Sequence, residues 1–137
     1  MNADEYLSQI KICDERINNK ILEKEQWQAL ATKITCPTDS EKVQSSGNPD
    51  KIYDAVIKMV EIEQEIDRMI DQYVDLKHDV IQVIDKILIV DQYAVIHKKY
   101  IQFMTLSEIA EDMNYSYTWI CELKNRGLQD VQRTLDS

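Results

Sequence analysis

The sequence predicts an all-α protein: a long antiparallel helical hairpin, or coiled coil, followed by a compact group of shorter helices. Three observations carry that expectation. Only two glycines and two prolines occur in 137 residues, and a chain so poor in breakers yet rich in Ile, Glu, Lys, Asp and Gln favours long helices. Apolar residues recur at helical spacing through most of the chain. Near the carboxy terminus, two short periodic runs are each preceded by a capping residue.

Over residues 2–34, Leu7, Ile10, Ile17, Ile21, Leu30 and Ile34 form one apolar stripe, with Trp27 adding a large surface and Asp14 and Lys24 interrupting it. At about 1.5 Å per residue such a helix spans roughly 50 Å, too long for a small domain to cover, so it must lie along another long helix. Residues 35–50 contain both prolines and one of the two glycines and read as a loop. Pro37 closes the first helix there, and Asn48 or Asp50 caps the next.

From residue 51 to about 90 the periodicity is strongest. Ile52, Val56, Met59, Ile66, Ile70, Tyr73, Val80, Ile84 and Ile87 step by four and three, with Glu63 and Lys77 as polar positions in the same seam. The partner of this helix is the first helix folded back across the loop, or a second copy of the chain. The domains expected are therefore 1–90, a helical hairpin, and 91–137.

Glu63, Asp67, Asp71, Asp75 and Asp79 follow at steps of four on the second helix. Asp75 and His78 stand three apart, as ligands do in di-iron bundles, but that motif uses Glu and occurs on two helices. His97 has no acidic residue three positions before it. The stripe reads as an acidic face toward solvent or a basic partner, and neither metal nor cofactor is expected.

Residues 90–104 read as a bracing helix, with Val95, Ile96, Tyr100, Ile101 and Phe103 on one side and His97, Lys98 and Lys99 on the other. Residues 105–131, TLSEIAEDMNYSYTWICELKNRGLQDV, read as two helices joined by a tight turn. Leu106, Ile109, Ala110 and Met113 fall on one face, and Ile120, Leu123, Leu128 and Val131 continue it after the break at Asn114, Tyr115 and Ser116. Thr105 caps the first helix in a capping box with Glu108, Ser116 caps the second, and Asn114 suits a left-handed backbone. Ala110 has too little bulk to keep two steeply crossing helices apart. This is a helix-turn-helix pattern.

The stretch resembles, without a gap, the helix-turn-helix of bacterial sigma-70 region 4. Thr105, Leu106, Glu108, Ile109, Ala110, Glu111, Met113, Ser116, Ile120, Leu123, Arg126 and Leu128 are the matching residues. The family often has Gly where this chain has Phe103. It also usually carries arginines with glutamine or glutamate where Tyr117, Trp119 and Cys121 stand, so the ordinary promoter element is not the expected target.

A recognition helix places its early residues against base edges. The candidate DNA-binding residues are Ser116, Tyr117, Thr118, Cys121, Glu122, Lys124, Asn125 and Arg126, with Lys98 and Lys99 on the bracing helix. Thr118 suits a thymine methyl, Glu122 a cytosine amine and Asn125 adenine. Lys124, Arg126, Lys98 and Lys99 suit phosphates. Tyr115, Tyr117 and Trp119 could equally form a protein-contact patch or pack on the bracing helix.

The net charge is −9. Residues 1–96 carry 11 basic and 19 acidic side chains, whereas 97–137 carry 5 and 6. A near-neutral reader holds DNA weakly by itself, since phosphate neutralisation supplies much of the affinity, so a partner or a dimer is required.

The layout as a whole, with the VQSSG string at residues 43–47, resembles short phage- and prophage-encoded transcriptional regulators of Gram-positive bacteria, including late regulators of the ArpU and RinA type. That resemblance implies a sequence-specific regulator acting on double-stranded DNA with host RNA polymerase, its hairpin serving either homodimerisation or contact with the polymerase. The alternatives are a small-terminase-like DNA-packaging subunit and a non-DNA-binding interaction or inhibitor protein.

No apolar run is long enough to cross a bilayer, and the amino terminus lacks a secretory pattern, so a cytoplasmic location is expected. Cys13, Cys36 and Cys121 are odd in number and widely spaced, which suggests neither a disulfide framework nor a zinc site. No nucleophile stands beside a base and no glycine loop grips phosphate, so an enzyme is not expected.

Overall fold

A computed structural model describes residues 1–35 and 49–137. Among them are five helices and no strand: α1 (Ala3–Thr35), α2 (Pro49–Ile84), α3 (Val90–Tyr100), α4 (Leu106–Met113) and α5 (Tyr117–Asp136). The all-α class is as expected. Of the loop expected over 35–50, Pro37, Asn48 and the string at 43–47 lie outside the described residues. α2 opens on Pro49, whose missing N–H would have been unpaired in a first turn anyway, and Asp50 lies inside that turn. No described helix is long and apolar enough to cross a membrane.

Two expectations about α2 need correction. The helix ends at Ile84, short of the expected 90. Lys86 N–H donates to the Val83 carbonyl and Ile87 N–H to that of Ile84, the tighter bonds of a closing turn. The break carries Ile87 into the core, and α3 then opens on Ile89 without a side-chain cap. No Gly, Pro or capping residue marks it, so only tertiary burial explains it.

The covered seam of α2 is also different. Ile52, Ala55, Met59, Ile62, Ile66, Met69, Tyr73, Leu76 and Val80 form an apolar row of buried or half-buried positions stepping by three and four, with Glu65 and Lys77 half-buried beside it. Val56 and Ile70, expected in the seam, are 45% and 40% exposed, and Glu63 is exposed. Both phases satisfy a heptad; the one chosen buries Ile62 and leaves Glu63 exposed, avoiding the cost of desolvating that carboxylate.

The chain parts into two compact units. One is Glu15–Gln72, from α1 and α2. Its buried apolar residues are Ile17, Ala55, Ile62 and Ile66, with Trp27, Ile52, Met59 and Met69 half-buried. Ile21 and Leu30, assigned to the stripe of the first helix, are exposed at 38% and 44%. Half-buried Lys20 and Lys24 reach across instead, to Glu65 at 3.6 Å and Glu63 at 3.3 Å, partner numbers that fall as those of α1 rise. Ion pairs this open to solvent contribute about 0–1 kcal/mol each.

The other unit, Met1–Asp14 with Tyr73–Ser137, holds α3, α4 and α5 and is wider than the expected 91–137. Its larger core joins Ala3, Leu7 and Ile10 of α1, Val80 and Ile84 of α2, Ile87, Ile96 and Tyr100, and Val131 of α5. Ala3 N–H, unpaired within its own helix turn, donates to Gln132 Oε1 at 2.8 Å, and Tyr100 Oη–H donates to Asp4 Oδ1 at 2.5 Å. The reason is geometric: three short helices cannot enclose Ile96, Tyr100 and Val131 as well as their own junction.

Candidate nucleic-acid interface

The junction of α3, α4 and α5 has its own small core. Val95, Ile109, Ile120 and Leu123 are buried, with Met104, Leu106, Ala110 and Met113 packed against them. Its local geometry follows the written signals. Thr105 Oγ1 accepts from Glu108 N–H at 3.2 Å, and Thr105 N–H donates to Glu108 Oε1 at 2.9 Å, closing a capping box. Hydrogen bonding from the Thr105 backbone N–H first, and then from the Thr105 side chain, holds the Glu108 carboxyl below its ordinary range.

Asn114 is left-handed at φ 58°, and Tyr115 N–H donates back to the Ala110 carbonyl at 3.1 Å. Ser116 Oγ then accepts from Trp119 N–H at 3.1 Å and starts α5. The turn is tied to α3 as well, since Tyr115 Oη–H donates to Asp91 Oδ2 at 2.7 Å.

Phe103 takes φ 60°. A phenylalanine there is strained, and its half-buried ring packs against the larger core. The backbone need at this position is thus the one a glycine would meet, met here by packing.

With Ile120 and Leu123 turned inward, the opposite face of α5 is open. Ser116, Tyr117, Thr118, Glu122, Asn125 and Arg126 are exposed, while Cys121 and Lys124 are half-buried. Two of the expected roles acquire partners within the chain. Arg126 Nε–H donates to Glu122 Oε1 at 3.0 Å, and the guanidinium lies 5.2 Å from the Trp119 ring centroid. Trp119 therefore lies beside a cation of its own helix.

Lys98 does not stand open for a phosphate. Its ammonium meets Asp112 at 2.9 Å, which ties α3 to α4. Lys99 lies 5.5 Å over the Tyr100 ring. On α5 itself the cations of this face are half-buried Lys124 and exposed Arg126, the latter paired with Glu122.

Sequence reasoning missed Gly127. It is buried in the middle of α5, where an added Cβ would sit 2.5 Å from Ile96 Cγ1, 3.0 Å from Ile96 Cδ1 and 3.4 Å from the Gln92 carbonyl oxygen. Gly127 thus sets how closely α5 lies on α3. One signal was available, since a lone glycine inside a periodic helix marks close approach. Among the described residues, no group of three or more His, Cys, Asp or Glu could hold a metal ion.

A family described as a protein of unknown function (DUF1492) matches residues 33–132. Neither a curated protein nor a solved structure matches the chain.

Proposed function

The chain belongs to the DUF1492 family, and from that premise we propose, on the geometry of α4 and α5, that it is a sequence-specific DNA-binding transcription regulator. In this reading α4 and α5 are a sigma-70 region-4-like helix-turn-helix, and α5 enters the major groove with its first turns leading. Thr118 meets a thymine methyl, Glu122 accepts from cytosine, Asn125 pairs with adenine, and Lys124 and Arg126 hold phosphates.

The observation that supports it is the division of α5 into two faces. Ile120 and Leu123 are fully or almost fully buried against α3 and α4, while Thr118, Glu122 and Asn125 on the other face stay exposed. A helix fixed on one side and polar on the other, with capped ends, is what base readout requires. The scarcity of cations on that face calls for a second source of affinity. Host RNA polymerase, or a second copy joined through α1 and α2 as an antiparallel hairpin, supplies it. A phage- or prophage-encoded cytoplasmic regulator fits this layout.

The test is selection from a random duplex pool, followed by titration of the selected duplex at roughly 50 and 200 mM salt, where each phosphate contact contributes about 0.9 to the salt slope. A selected sequence whose preference is relaxed by Asn125→Ala is the expected result. A pool that returns no preferred sequence overturns the proposal. A second reading, a protein-interaction module, is favoured by one observation, the exposure of Tyr117 at 53% beside Trp119 at 38%. Loss of polymerase binding in Tyr117→Ala without any DNA affinity in the parent chain would select it.

A further inference from the structure

Beside the seam it turns inward, α2 carries a second heptad row. Val56, Val60, Glu63, Asp67 and Ile70 follow at steps of four, three, four and three, and all five are exposed. Val56 and Val60 are 45% and 46% exposed and Ile70 is 40%, with Tyr53 at 67% widening the row at its start. Single exposed aliphatics are ordinary on a protein surface; an aliphatic row in register with a helical seam is the pattern of a face that receives another helix.

Charge decides the occupant. At the centre of the row Glu63 keeps 58% of its side-chain surface despite Lys24 at 3.3 Å, and Asp67 has no ion pair among the described residues. A second copy laid parallel would set Glu63 against Glu63, and one laid antiparallel would set Glu63 against Asp67. Either arrangement brings like charges together as water is excluded, which weakens the contact. A helix with aliphatic residues toward its ends and Lys or Arg at its centre meets the row with opposite charge.

We propose that this row is the docking face for a basic amphipathic helix of a partner protein. Aliphatic side chains of that helix lie on Val56, Val60 and Ile70, and its central cations reach Glu63 and Asp67. The assignment belongs to the Glu15–Gln72 unit and does not require α5 to read DNA.

The experiment uses the full chain and two labelled helical peptides of about 20 residues, long enough to hold helical structure. Both carry leucine at the matching heptad positions; one has two central lysines and the other two central glutamates. Fluorescence anisotropy should show the lysine peptide binding at least about tenfold more tightly at low salt, with the gap narrowing as salt rises. The double variant E63K/D67K should reverse the preference, and Val60→Asp should weaken the lysine peptide while circular dichroism confirms intact helix. Absence of binding by either peptide, equal binding, or a preference that survives E63K/D67K overturns the proposal. So does a native dimer in sedimentation that Val60→Asp dissociates, since a second copy would then occupy the row.

Discussion

Replacing Gly127 by alanine separates helix propensity from helix packing. In an exposed helix the change would stabilise the chain by about 1 kcal/mol. Here the new methyl lies 2.5 Å from Ile96 Cγ1, and Ile96 is fully buried. Cγ1 is attached directly to Cβ and cannot move aside without a change of rotamer or a shift of α5. Overpacking of that kind costs about 1–3 kcal/mol. The net expectation is a loss of about 1 kcal/mol from these opposed effects.

Ile96→Ala alone should cost about 2–5 kcal/mol through the cavity it opens. In that background the Gly127→Ala methyl enters empty space, so it should stabilise by about 1 kcal/mol. The sign of one substitution thus inverts with the residue opposite. Urea unfolding followed by fluorescence is suitable, because Trp119 lies on α5 and Trp27→Phe removes the only other tryptophan. If Gly127→Ala stabilises the chain in both backgrounds, or destabilises it equally in both, close approach of α3 and α5 is not what the glycine provides.

Four further outcomes are expected. Thr105→Ala and Ser116→Ala should each lower stability by about 1 kcal/mol in urea unfolding, since each removes the acceptor that closes a helix start. Burial, with the hydrogen bond to Asp4, raises the Tyr100 hydroxyl above its ordinary value of 10.0. The unfolded chain therefore deprotonates first, and this contribution is complete below pH 10 and lost as pH rises beyond it. Tyr100→Phe should be less stable at neutral pH, with a shallower alkaline decline in unfolding experiments. With a selected duplex, Lys124→Ala should reduce the salt slope of binding by about 1, whereas Lys98→Ala, which removes a partner of Asp112, should leave it unchanged. Phe103→Gly should relieve the backbone at φ 60° yet still lower the thermal midpoint, because the ring packs against the larger core.

The parts of the fold legible in the sequence are those governed by neighbours along the chain. The Thr105 and Glu108 capping box, the left-handed Asn114, the Ser116 cap, and the inward face of Ile120, Leu123 and Val131 all stand as the residues indicate. Each depends on side chains within a turn or two of its own backbone, so the local pattern is enough. The bracing helix was legible in its inward residues Val95, Ile96 and Tyr100, but it ends at Tyr100 rather than near 104 and no local signal marks its start. The outward face of α5 followed by subtraction, but the contacts of Arg126 with Glu122 and with Trp119 did not, since the same residue types also suit solvent or a ligand.

By itself the sequence determined the all-α class, two long helices and a capped short pair near the carboxy terminus. Tertiary structure decided which of two heptad phases α2 buries, where α2 stops, and that Leu7, Ile10 and Ala3 of α1 complete the core around Tyr100 and Val131. Periodicity repeats along a helix and so leaves neighbouring phases nearly equivalent. Only the helix on the other side, by burying Ile62 rather than Glu63, makes one of them lower in free energy.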